Sequence, residues 1–173
     1  IEAQIVDNQI FENPELIHVF SAGNSNGADC GYGAGNQWGN VTGGHKIGKN
    51  VLTTANLRLD GTLETSSSRG PTKDGRLKPE ISARGTNEVS TAPGNGTQVF
   101  GGTSAASPGV AGVTALLFEA YKNLHNGQNP ESALIKATIL NTATDIGTVG
   151  PDYQFGFGII DAYRAYRLIA ENR

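Results

Sequence analysis

The stretch Gly101-Gly-Thr-Ser-Ala-Ala-Ser-Pro-Gly-Val-Ala-Gly112 decides the fold, because it sets a serine, Ser104, at the start of a long apolar helix. The two glycines before the serine allow a sharp turn and a close approach of another molecule. The first N–H groups of a helix lack partners within it and carry partial positive charge, so they stabilise a developing oxyanion. Taken alone, however, this pattern is more often an ordinary helix cap than a nucleophile.

Strand and helix patterns alternate on both sides of this stretch. Helical spacing of apolar residues occurs in residues 3–11, 105–124, 130–141 and 161–170, and short strand patterns occur in residues 16–21, 51–57, 78–83 and 89–91. Proline is tolerated in the first turn of a helix, so Pro108 predicts a helix start close to Ser104. Asp161 is predicted to cap the last helix. The alternation predicts an α/β layered fold with a mainly parallel sheet.

Composition excludes several classes of protein. The chain has 173 residues, of which 37% are hydrophobic and 17% charged, as expected for one globular domain rather than a disordered chain. The net charge is −3 and no Lys- or Arg-rich block occurs, so nucleic acid is not an expected partner. The apolar runs are far shorter than the roughly 18 residues that a membrane span requires.

Two features of the residue inventory bear on processing. The chain starts at Ile1 and contains no Met, which is typical of a processed or excised piece. It has one cysteine, Cys30, so no internal disulfide and no thiolate metal site is expected. Cys30 is interpreted as a small loop residue or as one half of a disulfide to a part of the protein outside this chain.

Three further segments accompany the serine motif. They are Val-Phe-Ser-Ala-Gly-Asn at residues 19–24, Ser-Ser-Arg-Gly-Pro at 67–71 and Lys-Pro-Glu-Ile-Ser-Ala-Arg-Gly at 78–85. With Gly102 to Gly112 they have the order and spacing of the motifs of the subtilisin-like serine peptidases, the subtilases, which this chain resembles over nearly its whole length. The resemblance implies a three-layer subtilisin-like fold, with residues 1–173 as the C-terminal half of the catalytic domain.

The resemblance also implies a role for each matched residue. Ser104 resembles the nucleophile that becomes acylated, and Asn24 resembles the oxyanion-hole asparagine, which acts together with the backbone N–H of Ser104. Thr103 is expected to assist at the same oxygen. One wall of the pocket for the side chain before the scissile bond is expected at Ser21, Ala22 and Gly23. The glycine-rich loop of residues 25–50 either lines the substrate cleft or packs over it.

The chain lacks a plausible base for Ser104. A serine nucleophile needs a base and an acid that orients it, and the family's Asp-(Ser or Thr)-Gly and His-Gly-Thr motifs do not occur here. His125 lies 21 residues beyond Ser104 along the same helix, which is roughly 30 Å. His18 precedes Asn24 by six residues of strand, roughly 20 Å. His45 lies in a loop, where sequence does not exclude contact.

We therefore expect a serine endopeptidase that is completed by a separate N-terminal fragment carrying the His and the Asp. Without that fragment the chain would expose strand edges and apolar faces that the fragment should cover. We therefore expect the chain to be stable only in association with it. Protein or peptide substrates follow from the resemblance, and together with the single cysteine and the lack of a nucleic-acid signature it favours a secreted bacterial enzyme.

Two other functions remain open on sequence grounds. One is a non-catalytic subtilase-like module that binds peptides or scaffolds an assembly. The other is the related acid-acting sedolisin type, although that family has an aspartate where Asn24 stands. No cofactor is expected for the chemistry and no compact metal-ligand cluster occurs, since Asp145, Asp152 and Asp161 fit turns and caps. Structural calcium is implied only by the family resemblance.

Overall fold

The computed structural model describes residues 1–171. Its helices are α1 (Glu2–Glu12), α2 (Thr103–Leu124), α3 (Ser132–Thr142) and α4 (Ala162–Glu171). Its strands are β1 (Val19–Ser21), β2 (Leu52–Leu57), β3 (Ile81–Arg84), β4 (Glu88–Ala92) and β5 (Gly96–Phe100), with 3-10 turns at His45–Ile47 and Pro93–Asn95. The four predicted helices are confirmed, each within two residues of its expected ends.

A parallel sheet forms the centre of the molecule, in the order β1-β2-β3. Val19 of β1 is paired with Leu52 of β2, and Thr54 of β2 with Ile81 of β3. All six residues of β2 are buried because the strand has neighbours on both edges and layers on both faces. The predicted parallel α/β sheet is therefore confirmed.

Helices cover both faces of this sheet. Val6 and Ile10 of α1 pack with Val51 and Phe20 on one face. The larger core on the other face joins the sheet to three helices, through Leu52, Ile81, Ala83, Ala106, Val110, Leu117, Ile135, Ile139, Ala165 and Ile169. Successive strand residues point to opposite faces, which explains why the neighbours Val51 and Leu52 enter different cores. The result is three layers, as predicted.

Two strands are shorter than predicted. β1 begins at Val19 rather than at residue 16, because β2 offers ladder partners only from Leu52 onward. β3 begins at Ile81 rather than at residue 78, because Pro79 has no N–H to donate to the ladder. In both cases the partner strand or the missing donor, and not the apolar pattern, sets the boundary.

The start of α2 corrects one expectation. The helix begins at Thr103, next to Ser104 as predicted, but Pro108 is the sixth residue and lies inside the helix rather than in its first turn. Pro108 has no N–H for the Ser104 carbonyl. The helix nevertheless continues through Pro108 to Leu124. The predicted cap of α4 is confirmed, since Asp161 Oδ1 accepts from the Arg164 N–H at 2.9 Å.

An antiparallel hairpin was not anticipated. Strands β4 and β5 pair from Glu88 opposite Phe100 to Ala92 opposite Gly96, whereas sequence predicted only a short strand at residues 89–91. Gly94 and Asn95 turn the chain with positive φ angles. The hairpin leads directly into Gly101 and Gly102, so it sets the entry of the chain into α2.

A buried ion pair lies just before β3, against β2, and makes the free energy of unfolding depend on pH. Lys78 Nζ contacts Glu80 Oε1, and Lys78 is 1% exposed. Burial lowers the pKa of Lys78 from 10.5 to about 8, because it strips water from the ammonium, although Glu80 opposes the shift. Between these two pKa values the unfolded chain binds more protons than the folded one, so the free energy of unfolding rises with pH.

We expect the free energy of unfolding to rise by up to about 3 kcal/mol between pH 8 and 10.5 through this group. Denaturant unfolding at several pH values measures the rise. The variant Lys78→Met should flatten the slope, whereas Lys122→Met, which changes an exposed lysine of α2, should retain it. Equal slopes in wild type and Lys78→Met would contradict the assignment.

Candidate active site

Ser104 is an exposed side chain at the second position of α2. At this position the helix offers no acceptor for the Ser104 backbone N–H, which is left to bind another group. Gly102 precedes the helix with φ of 98°, a conformation that L residues rarely adopt. The hydroxyl and the backbone N–H of Ser104 thus stand at the same exposed helix end.

Asn24 lies directly beside this helix end. It follows β1, and its Oδ1 accepts from the Thr103 N–H at 3.0 Å and from the Thr103 hydroxyl at 3.0 Å. The Thr103 hydroxyl in turn accepts from the Gly23 N–H at 3.2 Å. Two bonds on Oδ1 orient the carboxamide, and no acceptor within residues 1–171 takes up Nδ2. The amide of Asn24 is therefore available as a fixed donor.

The carboxamide and the helix entry fit closely at Gly102. A Cβ built on Gly102 would stand 3.0 Å from Asn24 Nδ2 and 3.2 Å from its Oδ1. Any larger residue would push the amide away or distort the turn. The glycine before the Thr-Ser pair is therefore required by the contact with Asn24 as well as by its positive φ.

Thr103 has a different environment from the one that its expected role implies. Its side chain is fully buried, and its hydroxyl already bonds both Asn24 and Gly23. These contacts tie β1 to α2 across 79 residues of sequence. Thr103 thus positions Asn24, and direct assistance at the oxyanion stays a prediction.

Gly85, the last residue of the segment of residues 78–85, has a structural role at the start of α2. A Cβ on Gly85 would stand 2.4 Å from the Ala106 nitrogen and 2.8 Å from the Gly102 oxygen. The Gly102 N–H also donates to the Gly85 carbonyl at 2.9 Å. The end of β3 therefore packs against the backbone of the first turn of α2. This contact fixes the position of Ser104 relative to the sheet.

The predicted wall residues lie together where β1 ends. Ser21 is its last residue, Ala22 is fully buried, and the Ala22 N–H donates to the Thr54 carbonyl at 3.0 Å. Gly23 has φ of 114°, and its carbonyl accepts from the Ser68 N–H at 2.8 Å. Ser21 and Gly23 are partly exposed, which leaves them accessible. Their role as a substrate wall stays a prediction.

The loop of residues 25–50 packs on the polar loop that follows β2. The Asn40 N–H donates to the Arg69 carbonyl at 2.9 Å, while Asn40 Oδ1 accepts from the Arg69 N–H at 2.7 Å. The Arg69 guanidinium lies 5.4 Å from the centre of the Trp38 ring. Cys30 lies in the same loop as an exposed free thiol, and both interpretations, a small loop residue or one half of a disulfide to another part of the protein, stay predictions.

The histidines are engaged away from Ser104. His125 caps the far end of α2, where its ring stacks on Tyr121 at 3.8 Å. The rings of His18 and His45 both stack on Phe20, each at 5.7 Å. Because Phe20 packs on the α1 face of the sheet, His45 lies on the side opposite α2. The stacking on Phe20 therefore places His45, whose contact with Ser104 the sequence did not exclude, away from α2.

The aspartates considered as metal ligands lie in turns and at a helix end. Asp145 Oδ2 accepts from the Gly150 N–H, Asp152 Oδ1 from two backbone N–H groups, and Asp161 caps α4. Within residues 1–171 no three His, Cys, Asp or Glu side chains cluster as a metal site would require. Structural calcium stays a prediction from the family resemblance. In the same range no helix is both long and apolar enough to cross a bilayer.

The profile of the subtilase family matches residues 3–158. The chain belongs to the subtilase family. Among curated subtilases and related peptidases, alkaline elastase YaB from Bacillus sp. (strain YaB) is 35% identical over 113 residues, covering 65% of this chain and 28% of the relative. Tripeptidyl-peptidase 2 of Drosophila melanogaster is 30% identical over 178 aligned residues, covering 96% of this chain and 12% of the relative.

A solved protease structure has the same fold. The patellamide maturation protease PatA has a TM-score of 0.74 and 24% identity, covering 98% of this chain and 56% of that one. The chain thus spans about half of a solved protease domain and less than a third of the two curated relatives. The expected subtilisin-like fold, as a C-terminal part of the domain, is confirmed.

Proposed function

We propose that this subtilase is a serine endopeptidase and that Ser104 is its nucleophile. The observation that carries the proposal is the junction of β1 with α2. There an exposed serine stands at a helix N-terminus beside Asn24, whose carboxamide is oriented by two hydrogen bonds from Thr103. A nucleophile, a backbone N–H and a side-chain N–H converge there, as acyl transfer requires.

The reaction proceeds through an acyl-enzyme. Ser104 Oγ attacks the carbonyl carbon of the peptide bond while its proton passes to a base, and the carbonyl oxygen becomes an oxyanion. The Ser104 N–H and the Asn24 amide donate to that oxygen. The C–N bond then breaks, the base returns the proton to the leaving amine, and an ester remains on Ser104. Water attacks the ester through the same base, which releases the acid and restores the hydroxyl.

We further propose that the base, a histidine oriented by an aspartate, comes from a separate N-terminal part of the domain. His125 is roughly 30 Å along α2 from Ser104, and His45 lies on the opposite face of the sheet. Solved protease domains with this fold are about twice as long as the chain. Ser104 therefore requires a proton relay from residues outside this chain.

Open surfaces support such a partner. β1 is an edge strand of the sheet, so one row of its backbone groups is unpaired within the described residues. Large apolar side chains on the hairpin and on two helices are exposed: Val89, Val99, Phe100, Leu116 and Tyr166. Burial of these surfaces by the N-terminal part would make the chain stable only in association with it.

A fluorophosphonate tests the proposed nucleophile directly. Incubation with the protein that contains this chain and its N-terminal part should give one adduct on Ser104, mapped by peptide mass spectrometry. Ser104→Ala should abolish the adduct, while Ser107→Ala, which changes a serine one turn further along α2, should retain it. Absence of any adduct in the wild type would instead favour the non-catalytic, peptide-binding module.

The substrates and the cellular location of the enzyme follow from the same family resemblance. We propose protein or peptide substrates and a place outside a bacterial cell, as the family resemblance implies. The relative from Bacillus supports a bacterial source for this branch of the family. Recovery of the protein from culture medium rather than from cells tests the location.

A further inference from the structure

A lysine ammonium lies beside the glycine of the predicted substrate wall. A Cβ built on Gly23 would stand 3.3 Å from Lys46 Nζ. The closest other atom at that point is Ser68 Oγ at 2.9 Å, so a serine hydroxyl and an ammonium flank the glycine. Because Gly23 has no side chain, the ammonium lies close to the backbone that leads into Asn24.

The backbone around Lys46 is held firmly. Lys46 lies in the 3-10 turn His45–Ile47, which packs against α1, β1 and β2. Its carbonyl accepts from the Thr53 hydroxyl at 2.6 Å, and the next carbonyl, of Ile47, accepts from Arg76 Nη1 at 2.7 Å. The side chain thus starts from a fixed point and extends toward Gly23.

The charge of Lys46 is not neutralised in the described chain. Lys46 is partly buried, and no carboxylate within residues 1–171 forms an ion pair with it. The carboxylate of Glu2 lies near Gly44 but makes no ion pair with Lys46. Ser68 is neutral, and its Oγ accepts from the Ser25 N–H at 3.1 Å. A partly desolvated ammonium without a counter-charge favours an anionic ligand.

We propose that Lys46 makes the predicted substrate wall at Ser21, Ala22 and Gly23 select an acidic side chain, Glu or Asp, immediately before the scissile bond. The inference rests on the proposed peptidase function, because Gly23 adjoins Asn24 and therefore the position of the oxyanion. The substrate carboxylate pairs with Lys46 Nζ beside Gly23, whereas Ser68 is fully buried and its hydroxyl stays bonded to the Ser25 N–H. A neutral side chain of equal length would leave the ammonium unpaired.

Matched peptides measure the selectivity. Quenched fluorescent peptides that differ only in Glu, Gln, Leu or Lys before the cleaved bond are compared by kcat/KM in the protein with its N-terminal part. The wild type should favour Glu over Gln by about tenfold to a hundredfold, the range expected for one close charge pair. Lys46→Met should bring the Glu/Gln ratio close to one, and Lys46→Glu should favour the Lys peptide.

A neighbouring lysine provides the control. Lys49→Met changes an exposed lysine three residues away and should retain both the activity and the Glu/Gln ratio. Fluorophosphonate labelling of Ser104 distinguishes a failure of the proposed selectivity from a failure of the proposed peptidase function. A labelled, active enzyme with a Glu/Gln ratio near one, or a ratio that survives in Lys46→Met, overturns this inference alone. Absence of both labelling and cleavage overturns the peptidase function and this inference with it.

Discussion

Replacing Ser104 with alanine should lower kcat by about 10⁶-fold, the loss measured when the nucleophile of subtilisin is removed. In the proposed mechanism the hydroxyl oxygen forms the bond to the substrate carbonyl, and the alanine side chain has no atom that replaces it. KM should change little, because the wall and the oxyanion donors remain. Hydrolysis of a peptide substrate in the presence of the N-terminal part provides the measurement.

Ser104→Ala should change the activity without changing the stability of the fold. Ser104 is exposed and makes no side-chain hydrogen bond within residues 1–171, so its removal should leave the free energy of unfolding unchanged. Ser107→Ala is the matched control on the same helix and should keep full activity. A Ser104→Ala enzyme that retained activity within tenfold of wild type would show that the peptidase activity belongs to another group.

Much of the fold follows from local sequence signals. The helices begin and end close to where apolar periodicity predicts, and the capping residue Asp161 marks the start of α4. Strand ends depend on partners distant in sequence, so β1 starts where β2 provides a ladder and β3 starts after Pro79. The hairpin of β4 and β5 was missed because its pairing register is set between strands and not within either one.

The candidate site likewise has features that local sequence predicts and features that only tertiary contacts set. The position of Asn24 beside the start of α2 is predictable, because Asn24 and Ser104 each stand in a motif whose spacing is specific. The hydrogen bonds of Thr103 and the close approach of Gly85 to Ala106 are tertiary contacts that no periodicity encodes. Lys46 was missed for a further reason: it belongs to a loop without a motif, and only the folded loop brings it to Gly23.

The second large effect is expected at Asn24, where Asn24→Asp should lower kcat by about 10²–10³-fold. The size is that of removing the corresponding donor in subtilisin, a known case that we carry over. The aspartate keeps the oxygen that accepts from the Thr103 N–H and hydroxyl, so the loop stays in position. It replaces the Nδ2 donor with a second acceptor, which repels the oxyanion. KM should stay within about threefold, because the donor acts mainly in the transition state.

Variants of Thr103 separate donation from positioning. Thr103→Ser keeps the hydroxyl between Asn24 and Gly23 and should retain most of the activity. Thr103→Val keeps the shape but removes the hydroxyl, so the Asn24 amide loses one of its two anchors and kcat should fall by less than in Asn24→Asp. If Asn24→Asp kept kcat within about threefold of wild type, the oxyanion would be stabilised elsewhere. A fall in Thr103→Val as large as in Asn24→Asp would instead mean that Thr103 is itself a donor to the reacting oxygen.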